Sequence, residues 1–117
     1  MPRIAVLLLA DTETHEDAGR MANALTLAQE AKEEGDEVRL VLDGAGTKWA
    51  GELASEDHKY HRLFETVRDR VGACVYCARA YHVTEAVEQA GISLLDEYKG
   101  HPSLRQLIVD GWEVVSF

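Results

Sequence analysis

Both cysteines of the chain, Cys74 and Cys77, lie in GACVYCARAYHV, residues 72–83, spaced as C-x-x-C. Such a pair serves as a metal clip, a disulfide switch, a sulfur-carrying thiol with a neighbour, or two small buried side chains. In a reducing cytosol the spacing points to redox chemistry, sulfur chemistry or metal rather than to a structural disulfide. A thiol at a strand end, facing backbone N–H groups with Arg79 nearby, has its thiolate favoured. The apolar ACVYCA context suits core packing equally well.

Other polar side chains offer partners. His58 and His61 share a face if they are helical, and with Cys74 and Cys77 they would complete a tetrahedral Cys2His2 zinc set. Against that set, the cysteine pair follows the histidine pair, and an amphipathic helix separates them. His82 lies near the cysteines and is placed to tune them, whereas His101 is isolated and reads as a surface or satisfied polar residue. ADTETHEDAG carries Asp11, Glu13, His15 and Glu16. It reads as a capped helix start with acid at the positive end of the dipole. His15 is its one group suited to proton transfer near neutral pH. Asp43 opens DGAGTK, where it could polarise a neighbour. This segment lacks the spacing of a phosphate loop and reads as a glycine turn, so no nucleotide or other organic cofactor is expected, and no resident metal is assigned.

Composition narrows the function classes. The net charge is −9, from 21 acidic and 12 basic residues, and no window gathers Lys or Arg into a nucleic-acid footprint. In RLFETVRDR the arginines are interleaved by Glu65 and Asp69, as on a solvated helix face. The longest apolar run, IAVLLLA at residues 4–10, is far short of the ~20 residues that span a bilayer. No small-residue cleavage site follows it, so a cytosolic protein without membrane attachment is expected.

The elements that must position these residues alternate. Residues 3–10 form an apolar strand, and Thr14 caps a helix bearing Ala18, Met21, Ala22, Leu25 and Ala28 that Gly35 ends. EVRLVLD is a second strand and TKWAGELA a short helix. Tyr60, Leu63, Phe64, Val67 and Val71 mark a second long helix closed by Gly72. ACVYC marks a short third strand, with Cys74 closing a strand and Cys77 beginning the turn that leads to the next helix. Thr84 caps a helix running to Ala90, ISLL follows, Pro102 opens a last helix over about 102–110, and WEVVSF is the closing strand. This order predicts one domain over residues 1–117, a three-layer α/β/α sandwich on a mostly parallel sheet of about five strands. The loops 11–16, 43–48 and 74–83 should then meet at the carboxyl ends of the strands.

The whole-chain order, with LVLDGAG ending the second strand, ACVYCARAYHV after a helix and VVSF at the close, resembles the DsrE/DsrF-like family, which includes sulfur-relay subunits. The resemblance implies a flavodoxin-like α/β/α domain assembling as a homo-oligomer, a trimer or hexamer, that exchanges sulfur with a donor or acceptor protein. It also implies that Cys74 carries sulfur as a persulfide, with Cys77 as the second cysteine of the C-x-x-C members. Relay members have Gly-rich turns where this chain has DTETHED and RAYHV. The first functional reading is thus a sulfur transferase, carrier or thiol redox protein acting through Cys74 with Cys77 assisting. A non-catalytic oligomeric module binding a small ligand or partner is the alternative, and the zinc set with His58 and His61 is a third.

Overall fold

The computed structural model describes residues 2–117. Strands β1 (Arg3–Leu8), β2 (Glu37–Leu42), β3 (Val71–Cys74), β4 (Ser93–Leu95) and β5 (Glu113–Ser116) form one sheet in the order β4-β3-β2-β1-β5. Every pairing is parallel, so each connection must cross over. Val6, Leu8, Leu40 and Leu42 are fully buried, as strands covered by crossover helices require.

Helix α1 (His15–Glu33) is set by its cap: the Thr14 hydroxyl accepts the Asp17 N–H at 3.1 Å. Its face of Met21, Ala24, Leu25, Ala28 and Ala31 is buried, and the small alanines let the helix lie close on the sheet. Gly35 stops it at φ 82°, a left-handed conformation that glycine adopts without strain. Helices α2 (Trp49–Ala54), α3 (His61–Val67), α4 (Val75–Ala80) and α5 (Thr84–Gln89) precede or follow β3, and α6 (Leu104–Val109) precedes β5. Phe64, Leu53, Val67 and Val87 join the main core, while α6 closes a smaller cluster of Ala5, Leu107 and Trp112.

Several segments differ from the sequence expectation. Thr84 is the first residue of α5 rather than its cap, which is Val83. Helix α6 begins at Leu104 behind a Ser103 side-chain cap rather than at Pro102. The helix around Phe64 ends at Val67 and passes through a 3-10 turn, Arg68–Arg70, so Val71 opens β3 instead of closing a helix. The third strand therefore ends at Cys74, and Val75–Ala80 is helical, which puts Cys77 in the first turn of α4. The apolar run had no period to divide strand from helix. Gly72 supplies the reason for the early strand: a Cβ there would lie 2.6 Å from Leu95 Cδ1 on β4, so glycine suits close packing between β3 and its neighbour.

Candidate functional site

The register of the sheet decides which side chains meet. Leu42 pairs with Ala73, so the residues just past them, Asp43 and Cys74, leave adjacent strand ends together. Cys74 pairs in turn with Leu95, which brings the segment after β4 back across the same edge. The result is one cluster: the Cys74 and Cys77 sulfurs, an Asp43 carboxylate oxygen and a His101 ring nitrogen all lie within 4.8 Å of one another.

Each member is fixed by backbone geometry. The Asp43 N–H donates to Leu8 O at 3.0 Å, and its carboxylate accepts from Gly44 N–H at 2.9 Å. Cys74 caps α4, its sulfur accepting the Cys77 N–H at 3.4 Å. His101 is presented by a tight turn whose central residues, Lys99 and Gly100, have φ of 49° and 84°. Reciprocal 2.8 Å backbone bonds between Tyr98 and His101 close that turn. Tyr76 clamps it to α4, donating its N–H to Gly100 O at 2.8 Å and laying its ring 4.7 Å from the imidazole centroid.

Within the cluster, Cys74 Sγ sits 3.3 Å from His101 Nδ1, and the Cys77 thiol donates to Asp43 Oδ1 at 3.2 Å. Both cysteines are free thiols. Cys74 is fully buried, whereas Cys77 is half-buried and reaches the surface. The expected thiolate at Cys74 is therefore corrected. Burial pushes its thiol up to about 12, helped by the Asp43 charge, and the one amide donor only partly opposes this. Burial also raises Cys77, and its bond to the Asp43 carboxylate favours the protonated form further.

A pH signature follows. The folded chain holds the Cys74 proton up to about 12, while an ordinary thiol releases it near 9.0, so above that value the unfolded state binds fewer protons. Stability contributed by this thiol is complete below the ordinary value and falls as pH rises from there toward the folded one. Denaturant unfolding across that alkaline range should show a steeper loss for the native chain than for Cys74→Ala. Equal slopes would contradict the buried, protonated thiol.

The remaining sequence candidates distribute differently. Arg79 and His82 are exposed, His82 with φ 59°, and neither bonds to a thiol. Asp11 is held by Lys48 at 2.7 Å, and that hydrogen bond draws its carboxyl below the usual range. Lys48 also reaches Glu13 at 3.2 Å, so the loops after β1 and β2 do meet, and of these two loops only the one after β2 supplies a member of the thiol cluster, Asp43. His15 is exposed at the start of α1. His58 accepts the Tyr60 N–H on Nδ1, and His61 Nδ1 bonds Leu53 O at 2.8 Å. Neither joins the cysteines, which removes the Cys2His2 set with those histidines. The residue that sequence reasoning missed is His101. Its signal was the Lys99–Gly100 turn a few residues after a strand, hidden because β4 is three residues long.

The profile of the DsrE/DsrF-like family matches residues 5–117, nearly the whole chain. The chain belongs to the DsrE/DsrF-like family. Among relatives of this DsrE/DsrF-like protein is the uncharacterized protein MJ0733 of Methanocaldococcus jannaschii, 35% identical over 95 residues, covering 81% of this chain and 78% of that one. A conserved protein of unknown function, BT1422 from Bacteroides thetaiotaomicron, superimposes with a TM-score of 0.61 at 18% identity, over 97% of this chain and 94% of that one. At that identity the likeness speaks for the fold alone. Among the described residues no helix is long and apolar enough to cross a membrane.

Proposed function

We propose that this DsrE/DsrF-like chain handles sulfane sulfur through its thiol pair, with Cys77 receiving the sulfur and Cys74 resolving it. The observation carrying the reading is two free thiols within 4.8 Å, only one of them reaching the surface, beside a carboxylate and an imidazole. The family resemblance gives the carrier role to Cys74, and the burial of Cys74 favours the reverse order.

In the first step the Cys77 proton passes to Asp43 and the thiolate attacks the outer sulfur of a persulfide donor, R–S–SH. The donor S–S bond breaks, R–SH leaves with the returned proton, and Cys77–S–SH forms. An acceptor thiol can then take the outer sulfur, restoring the Cys77 thiol. Alternatively Cys74 gives its proton to His101 and attacks the inner sulfur of Cys77, forming the Cys74–Cys77 disulfide and releasing sulfide, which leaves as hydrogen sulfide with that proton. An external dithiol then reduces the disulfide. The reading includes a cytosolic homo-oligomer, trimer or hexamer, to whose interfaces the exposed Leu9, Ile108, Val109 and Val115 could contribute, and a protein thiol as donor or acceptor.

Sulfide release tests it. Without reductant, metal-free native chain should release one sulfide per disulfide formed. Cys74→Ser should instead retain the sulfur as a persulfide, and Cys77→Ser should take up none. Unaltered loading of Cys77→Ser would overturn the assignment.

A further inference from the structure

The four-residue cluster has a second chemical meaning that does not depend on sulfur transfer. We infer that Asp43, Cys74, Cys77 and His101 form a tetrahedral binding site for a thiophilic divalent cation of the zinc class. The donor set, two sulfurs, one imidazole nitrogen and one carboxylate oxygen, is the combination zinc prefers over hard cations.

The distances suit a small ion. Zinc bonds of about 2.3 Å to sulfur and about 2.0–2.2 Å to nitrogen or oxygen imply donor–donor edges of roughly 3.3–3.8 Å in a tetrahedron. Cys74 Sγ to His101 Nδ1 is 3.3 Å and Cys77 Sγ to Asp43 Oδ1 is 3.2 Å, so two opposite edges already stand at nearly the required length. All other separations stay within 4.8 Å, and side-chain rotation about an ion would close the difference.

The supports needed for a metal centre are also present. Asp43 and Cys74 come from adjacent strand ends, whose positions the sheet fixes. Cys77 comes from the first turn of α4 directly after β3, and His101 comes from the clamped turn over them. The Cys77 N–H directed at Cys74 Sγ and the Gly44 N–H on Asp43 would hold and partly neutralise bound anionic ligands. Cys74 lies at the buried side and Cys77 at the open side, which gives an ion a path inward. On binding, each thiol releases one proton to solvent, and both sulfurs become unavailable to a sulfane donor. The metal would thus hold the thiol pair in reserve.

Cobalt(II) is the spectroscopic probe. Titrated into reduced, metal-free full-length chain, it should give thiolate-to-cobalt charge-transfer bands and intense tetrahedral ligand-field bands that saturate at one ion per chain, and zinc should displace it. Cys77→Ser should abolish the charge-transfer band of its thiolate, and Asp43→Asn and His101→Asn should each weaken binding by at least about tenfold. The double variant His58→Ala/His61→Ala should bind as the native chain does. Silent spectra under excess cobalt, or undiminished affinity in both Asp43→Asn and His101→Asn, would overturn the site. Because sulfur uptake is read on metal-free protein by mass, loss of the metal site leaves the sulfur reading standing, and the converse also holds.

Discussion

Alkylation of the reduced, folded chain should modify Cys77 and spare Cys74, with rates differing by about a hundredfold or more. Only the thiolate attacks the reagent. With its thiol pushed up to about 12 by burial, Cys74 stays overwhelmingly protonated near pH 8. It is also fully buried beneath the His101 turn. Cys77 is raised too, so its labelling rate should keep climbing by about tenfold per pH unit through the range where free cysteine begins to level off. Denaturant should equalise the two sites. Peptide mapping of quenched samples reads both rates, and faster labelling of Cys74 in the folded chain would reverse the roles assigned to the thiols.

The second large effect lies in the turn that carries Asp43. Gly46→Ala should destabilise the fold by about 3 kcal/mol or more. A Cβ at Gly46 would stand 1.9 Å from Leu8 O and 2.8 Å from Leu8 C, which are backbone atoms and cannot rotate away. Leu8 sits at the end of β1, fully buried, and its carbonyl already accepts the Asp43 N–H. Relief therefore requires moving either the strand or the turn. Gly19→Ala is the matched control: a Cβ there meets nothing within 4 Å. On an exposed helix interior it should stabilise by about 0.5–1 kcal/mol. Urea unfolding of the two variants reads both signs, and a Gly46→Ala midpoint equal to that of the native chain would show that the turn is not seated against β1 as described.

Much of this arrangement was legible in the residues. The Thr14 cap, the small apolar face of α1 and the continuous apolar strands encode parallel α/β alternation locally, so the sheet and its flanking helices follow directly. Cys74 and Asp43 were also readable as strand-end residues. What escaped was set by distance in the chain. His101 is far from the cysteines in sequence, and only the pairing of β3 with the short β4 brings its turn over them. The ionisation of Cys74 escaped for a related reason. Local sequence shows a helix cap and a nearby Arg79, but the competing burial comes from the sheet and from the Tyr76–His101 clamp. The histidines at 58 and 61 misled because their spacing is local, whereas their actual partners are Tyr60 and Leu53.

The division of labour between the two thiols can be read in a single time course. Reduced, metal-free native chain is mixed with a persulfide donor, and samples are quenched by acid and mapped by peptide mass spectrometry. The added sulfur should be found first on Cys77, with the Cys74–Cys77 disulfide following it. Sulfur found first on Cys74, or a folded chain that acquires none, would contradict the account.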